Sequence, residues 1–220
     1  MSSTSRSQTI PRGIGLSRKE EGLLFIVSGP AGSGKTTLCE RLLGDCPAID
    51  RIVTATSRPP RGEEKDGVDY YFFSEEQFRT GIDNGEFFEW ARVHNHYYGC
   101  LRREVRQKLA KEKDLLLNID VQGAATFRKE VRRDEALAGR LVTIFVTPPN
   151  VDVIEQRLVG RGQDDPEEIA RRVQNAEEEI RQWRYYEYCL LSGTREEDYA
   201  AFQAIYRAEK MRNRQKLTTG

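Results

Sequence analysis

The residues with the clearest chemical meaning form a glycine-rich segment near the start of the chain. Residues 29–36 read Gly-Pro-Ala-Gly-Ser-Gly-Lys-Thr and match the P-loop pattern G-x-x-x-x-G-K-[ST] in full. Glycines let consecutive backbone N–H groups turn toward a polyphosphate, and a following helix N-terminus adds its positive dipole end. Lys35 is expected to reach the terminal phosphates, and Thr36 to offer its hydroxyl to Mg²⁺. The segment thus predicts binding of a nucleoside triphosphate.

An ordinary Gly/Ser turn is the alternative, but the motif directly follows an apolar run and directly precedes a helical pattern, as a P-loop requires. The predicted ATP-binding residues here are Gly29, Pro30, Ala31, Gly32, Ser33, Gly34, Lys35, Thr36 and Thr37.

A second anion site is indicated by arginines farther along the chain. Arg58 and Arg61 lie in a proline-stiffened turn, Ser-Arg-Pro-Pro-Arg-Gly. Two guanidinium groups that keep their charge match a dianionic phosphate well. Downstream, Tyr70 and Tyr98 offer phenol groups that would complete such a pocket. From residue types alone, a surface turn followed by strand aromatics explains these residues equally well.

The elements that must position these residues alternate between strands and helices. Short apolar runs, typical of strands buried on both faces, are separated by helical patterns. Such alternation predicts an α/β fold, a P-loop NTPase core whose parallel sheet is flanked by helices. The predicted strands are 23–27, 115–119 and 141–146, and the predicted helices are 36–43, 121–132, 151–158, 166–186 and 196–214.

The stretch 54–98 breaks this rhythm. It is rich in aromatic and turn residues, with alternating pieces such as 70–73 and 87–93. We expect a small, partly β lobe inserted between the first and second βα units. The first 21 residues are rich in Ser and Thr and lack hydrophobic periodicity, which predicts a flexible tail.

Composition excludes several functional classes. The chain has 220 residues, enough for one domain, and its formal net charge is zero. No global field therefore attracts nucleic acid or an anionic membrane, and we expect neither as a partner. The four cysteines show no Cys-x-x-Cys spacing, which favours free thiols and a cytoplasmic location.

Several motifs in one register carry a family resemblance. The P-loop is followed by T-x-T-S-R-P-P-R, G-x-D-Y, F-x-E-W-A, Y-Y-G, N-I-D-V-Q-G and R-L-x-G-R-G. In this order and spacing the chain resembles the guanylate kinases over about residues 22–210, leaving 211–220 as a C-terminal end. The resemblance implies transfer of a phosphoryl group from ATP to GMP, with Mg²⁺ accompanying ATP.

The resemblance also implies a GMP site within the lobe 54–98. Arg58, Arg61, Tyr70 and Tyr98 match the family's holders of the GMP phosphate. Glu89 matches the glutamate that accepts hydrogen bonds from guanine N1–H and the 2-amino group, a pair that adenine does not offer. The GMP-binding set implied in this way is Thr54, Arg58, Arg61, Tyr70, Glu89, Tyr98, Cys100 and Asp120.

Residues 157–162 and the pair Arg171-Arg172 resemble the lid that folds over ATP in this family, near 161–168. Mobile arginines there would stabilise charge on the transferred group and exclude water. A solvated helix with i,i+4 ion pairs explains most of the charge on 166–179, but not the turn Gly160-Arg161-Gly162. The resemblance implies ATP contact by Arg157 and catalytic roles for Lys35, Arg58, Arg161 and Arg172.

Three positions depart from the family pattern. Cys100 stands where a Ser or Thr usually meets guanine O6, and a thiol is a weak donor. Asn118 replaces the first aspartate of D-I-D, and strand alternation predicts that it shares a face with Asp120. Ser192 replaces an asparagine often found near adenine. These departures keep two alternatives open: a related P-loop kinase for another phosphorylated acceptor, and a catalytically inactive binding module.

Overall fold

The computed structural model describes residues 16–18, 21–93, 95–137, 139–160, 165–212 and 217–219. The strands, in chain order, are β1 Leu16–Arg18, β2 Leu24–Ser28, β3 Ile49–Arg51, β4 Ala55–Thr56, β5 Tyr71–Phe72, β6 Phe87–Val93, β7 His96–Leu101, β8 Asp114–Asn118, β9 Leu141–Thr147, β10 Tyr188–Leu191 and β11 Leu217–Thr219. The helices are α1 Lys35–Asp45, α2 Glu75–Asp83, α3 Arg102–Leu109, α4 Val121–Arg132, α5 Val151–Val159, α6 Pro166–Ile180 and α7 Arg195–Met211, with a 3₁₀-helix at Arg181–Tyr185.

A five-stranded parallel sheet in the order β10-β9-β2-β8-β3 forms the centre of the fold. Every residue of β2 is buried, and Phe25 lies between Leu116 of β8 and Val142 of β9. Two apolar clusters lie against this sheet, one including Leu42 of α1 and the other Phe127 of α4. Since parallel strands need crossover connections, helices cover the sheet. The predicted α/β fold is confirmed.

The predicted lobe contains a separate four-stranded sheet in the order β5-β4-β7-β6, together with α2. Helix α2 begins with a capping box, in which Ser74 and Gln77 each bond the other's backbone N–H. A buried glutamate, Glu104 of α3, joins the lobe to the core. Its carboxylate accepts hydrogen bonds from Val53 N at 3.1 Å and Tyr71 Oη at 2.8 Å.

Some predicted boundaries are wrong. The helix expected over 166–186 ends at Ile180, and a 3₁₀-helix follows it. The last helix runs from Arg195 to Met211, so the expected end at 214 is not reached within the described residues. Strand β8 ends at Asn118, and Asp120 instead caps α4 by accepting from Gly123 N. The alternation argument that paired Asn118 with Asp120 therefore does not apply.

Strand β1 pairs antiparallel with β11 in a ribbon of two short strands. This pairing places regular structure within the segment for which the sequence predicts a flexible tail. In the part of the chain that the structure describes, no helix combines the length and apolarity needed to cross a bilayer.

Candidate active site

The P-loop turns tightly between β2 and α1. Gly29, Gly32 and Gly34 have φ values of 142°, 80° and 99°, which L side chains rarely adopt. At Gly29 a Cβ would also lie 2.0 Å from the Val146 carbonyl oxygen. Lys35 Nζ donates to the carbonyl oxygens of Gly29 and Pro30, both at 2.7 Å. The cation is therefore folded back toward its own loop, where two carbonyl oxygens accept its hydrogen bonds.

A cavity of about 360 Å³ lies beside the P-loop. Its wall includes Gly34, Arg157 and Ser192. Arg157 Nη1 donates to Gly32 O at 3.2 Å, and both its terminal nitrogens lie 3.5 Å from Ser192 Oγ. Ser192 Oγ donates to Asp198 Oδ2 at 2.9 Å. Ser192, one of the three departures, thus links the arginine over the P-loop to a buried carboxylate.

In the lobe, Arg58 is buried and forms a bidentate ion pair with Glu64. Its Nη1 and Nη2 lie 2.6 and 2.7 Å from the two carboxylate oxygens, and Nη1 also donates to Pro59 O at 3.0 Å. Arg61 N donates to Glu64 Oε2 at 2.8 Å. Arg58 and the Arg61 backbone lower the pKa of Glu64 to about 2, so this carboxylate stays ionised. The ion pair and its hydrogen bonds raise the pKa of Arg58.

Two predicted tyrosines surround this arginine. The guanidinium carbon of Arg58 lies 4.9 Å from the ring centre of Tyr70, and the phenol of Tyr98 is close enough to contribute to the raised pKa of Arg58. The two rings meet edge to face at 6.2 Å. The structure thus brings together three of the four expected phosphate holders, while the side chain of Arg61 lies on the exposed turn.

The lobe and the P-loop face a common cavity of about 310 Å³. Thr36 of α1, Thr54, Tyr70 and Asn118 contribute to its wall. Asn118 Nδ2 donates to Thr36 Oγ1 at 3.3 Å. The predicted triphosphate and acceptor sites therefore adjoin one another.

Glu89 is buried on β6 beside the start of α4. A Cβ on Gly123 would lie 3.3 Å from Glu89 Oε2. Burial and the nearby charge of Asp120 raise the pKa of Glu89 to about 7, although the backbone of Cys100 favours the ionised form. Cys100 pairs with Glu89 across the sheet, but its own side chain is 0% exposed and belongs to an apolar cluster with Phe88. A contact between the thiol and a base stays a prediction.

Of the predicted lid arginines, the structure describes Arg171 and Arg172. Arg172 Nε donates to Glu168 Oε1 at 2.8 Å, and Arg171 bonds the same carboxylate. Helix α6 begins at Pro166 with Asp165 as its N-cap. Arg161 lies outside the described residues, as do 162–164 of the predicted lid.

Sequence reasoning missed two carboxylates at these sites. The only sequence feature that points to a role for Glu64 is its place in the same short turn as Arg58 and Arg61. Glu179, at the far end of α6, lies close enough to the P-loop that the charge of Lys35 and the backbone of Ala31 favour its ionised form. Burial nevertheless raises the pKa of Glu179 overall. In a helix with so many charged residues, nothing in the sequence distinguishes Glu179 from its neighbours.

The arrangement of sheet, P-loop and crossover helices defines a P-loop NTPase fold. A family model described as guanylate kinase matches residues 21–209. A guanylate kinase from Symbiobacterium thermophilum is 40% identical over 194 residues, which cover 88% of this chain and 89% of that protein. One from Sphingopyxis alaskensis is also 40% identical, over 89% of this chain and 86% of its own.

Among solved structures, the crystal structure of guanylate kinase from Anaplasma phagocytophilum superposes with a TM-score of 0.68 at 31% identity. The match covers 90% of this chain and 92% of that one. The chain belongs to the guanylate kinase family, as its motifs predict.

Proposed function

We propose that this protein transfers the γ-phosphoryl group of ATP to GMP, giving ADP and GDP. The observation that carries the proposal is that one chain of the guanylate kinase family keeps both an intact P-loop and the arginine and tyrosine set of the lobe. An inactive binding module has no need of Gly34-Lys35-Thr36, and no observation favours it.

On the donor side, the P-loop N–H groups and the α1 N-terminus would hold the ATP phosphates. Lys35 would exchange its carbonyl partners for the β/γ-phosphates, a favourable exchange because a charged acceptor makes the stronger hydrogen bond. Arg157 already lies against Gly32 of this loop. Arg161 and Arg172 would close over the transferred group, where charge spreads over equatorial oxygens.

On the acceptor side, Glu64 positions Arg58. The carboxylate occupies the end of the guanidinium through Nη1 and Nη2. Of the five N–H donors of Arg58, Nε–H and one Nη2 hydrogen remain as a second fork. This fork, with Tyr70, Tyr98 and the exposed Arg61, would bind the GMP phosphate.

Guanine would be read mainly by Glu89. When ionised, its carboxylate accepts two parallel N–H bonds from guanine, whereas adenine presents an acceptor at N1 and would leave a buried charge unpaired. Thr54 and Asp120 complete the proposed base pocket. Cys100 is its least supported member, because its side chain is fully buried.

Mg²⁺ is expected to accompany ATP. Thr36 presents an exposed hydroxyl beside the amide of Asn118, and Mg²⁺ prefers oxygen ligands while keeping several waters and substrate phosphates. The residues present therefore fit the ion with Thr36 as its protein ligand. Bound there, Mg²⁺ would neutralise charge on the β- and γ-phosphates. Within the described residues, no group of three or more His, Cys, Asp or Glu side chains forms a separate metal site.

The proposal is tested by measuring ADP release with GMP, dGMP, IMP, AMP and UMP as acceptors. We expect GMP to be used most efficiently and AMP to be rejected by about four orders of magnitude. IMP, which lacks the 2-amino group, should fall between them. Efficient use of AMP or UMP in place of GMP would refute the guanine assignment.

We further propose that the protein acts in the cytoplasm on free nucleotides, with neither nucleic acid nor membrane as a partner. The zero net charge supports this, as do the four cysteines, all free in the structure.

A further inference from the structure

A basic cavity of about 570 Å³ lies away from the sites above, between the second half of α4 and the 3₁₀-helix that follows α6. Among the residues that the structure describes, no acidic side chain contributes to its wall, and none of its residues lines the cavities beside the P-loop or the lobe. The residues that line it are Ala125, Arg128, Lys129, Arg132, Arg133, Arg184 and Tyr185.

Neighbouring acids neutralise this cluster only in part. Arg133 Nη1 lies 2.9 Å from Glu130 Oε1, but Glu130 also binds Arg102. Across the described ranges of the chain, no ion pair joins Lys129, Arg132 or Arg184 to a carboxylate. The negative dipole end of α4 favours basic residues in its last turn, but it does not account for Arg184, which comes from another element.

Arg128 adds an independent observation. It is 9% exposed, and its guanidinium carbon lies 4.4 Å from the ring centre of Tyr186. Its Nη1 is buried and has no hydrogen-bond partner among the described residues. A buried donor on a charged group is costly when left unpaired. The cavity wall combines the Arg128 side chain with three cations that no described carboxylate pairs with, and such a wall is suited to an anion.

We propose that this cavity binds a chain of phosphate groups, either as free polyphosphate or as part of a nucleotide. Guanidinium groups keep their charge and match phosphate oxygens in pairs, and four arginines converge here. The cluster is concave and confined to one cavity, on a chain with no net charge, so a compact ligand with several charges fits better than an extended nucleic acid. Tyr185, 58% exposed at the wall, offers a ring for a nucleotide base.

The test uses the full chain with its active site filled. Inorganic triphosphate is titrated calorimetrically into protein saturated with GMP and a non-hydrolysable ATP analogue. We expect one further site whose affinity weakens with added salt. The double variant Arg132→Gln/Arg184→Gln should weaken that binding at least tenfold, while Arg207→Gln, an exposed arginine on α7, should leave it unchanged. Arg132 and Arg184 are both exposed, so the double variant leaves the buried Arg128 in place.

Two further arms identify the source of the phosphates. Tighter binding of GTP than of triphosphate, lost in Tyr185→Ala, would assign the site to a nucleotide, and equal binding would assign it to the phosphate chain alone. The absence of a further site, or binding unaffected by the double variant, would overturn the proposal. So would binding of a single-stranded RNA or of anionic vesicles at concentrations where triphosphate does not bind.

Discussion

The P-loop and the lobe both present a cation for a phosphate, but they hold it in different ways. Lys35 donates to two carbonyl oxygens of its own loop and lies close enough to Glu179 to feel its charge, but no bidentate ion pair holds it among the described residues. Arg58 is fixed by a full carboxylate and by the ring of Tyr70. A lysine can move from weak partners to follow charge as it develops, whereas a clamped guanidinium presents a rigid fork. The difference suggests a mobile cation where bonds change and a fixed one where substrate is only held.

Lys35→Ala tests the role of the mobile cation in the P-loop and should have the largest effect on activity. Removing a charge that follows the transferred group should lower kcat by about 10²–10³-fold, as loss of one electrostatic stabiliser typically does. GMP binding should change little. We would measure kcat, the Kd for GMP and far-UV circular dichroism. Lys111→Ala removes an exposed lysine as a control. Near-normal kcat in a folded Lys35→Ala protein would rule out this role.

Glu89→Gln tests the reading of guanine and should lower kcat/KM for GMP by about 10–100-fold. The change keeps the shape of the side chain but removes one charge-assisted hydrogen bond, worth about 1.5–3 kcal/mol. Binding of an ATP analogue should be unaffected, and Glu76→Gln on the exposed face of α2 serves as a control. Equal losses for GMP and the ATP analogue would indicate general damage instead.

The pH dependence of GMP binding follows from the same carboxylate. Because the pKa of Glu89 is raised to about 7, the carboxyl is mostly protonated at pH 6 and mostly ionised at pH 8. Only the ionised form accepts both guanine N–H groups, so KM for GMP should fall by up to about tenfold between these pH values. The GMP phosphate also titrates near pH 6. In Glu89→Gln only that smaller change should remain, and an unchanged profile would show that Glu89 does not titrate in this range.

The contrast between the two regions also explains what the sequence could predict. The P-loop is eight consecutive residues whose conformation is set locally by glycine, so Lys35 and Thr36 were placed from spacing alone. The lobe is assembled from separate segments, and Glu64 gains its meaning only when the turn folds back on Arg58. Glu179 reaches the P-loop through the packing of a whole helix. Strands as short as β3 and β10 carry too little pattern to be found.

Glu64→Gln tests whether the fixed orientation of Arg58 matters for binding GMP. It should raise KM for GMP by about tenfold and leave kcat unchanged. A glutamine keeps one acceptor oxygen, but its amide nitrogen would oppose an Nη donor of Arg58, so the fork would lose its orientation. The adjacent Glu63→Gln is a matched control, because Glu63 is exposed in the same turn. Measuring KM and kcat for both variants tests whether Glu64 positions Arg58 for the GMP phosphate. A lower KM in Glu64→Gln would show that this carboxylate competes with the GMP phosphate.

Cys100→Ser should have the smallest effect on GMP binding. It distinguishes a role of residue 100 in core packing from a role in recognising guanine. The thiol is fully buried beside Phe88, and burial raises the pKa of Cys100 well above its usual range, so it behaves as a small apolar group. A hydroxyl placed there without a partner should lower the free energy of unfolding by about 1–3 kcal/mol.

The Kd for GMP should stay within about twofold of the parent in Cys100→Ser, because a side chain that is 0% exposed in the structure contacts a base only if the lobe opens. Urea unfolding and GMP titration of the same preparations measure the two quantities. Cys189→Ser, at an exposed position on β10, should change neither. A serine form that binds GMP several-fold more tightly would place residue 100 against guanine O6 and would show that the rigid lobe opens when GMP enters.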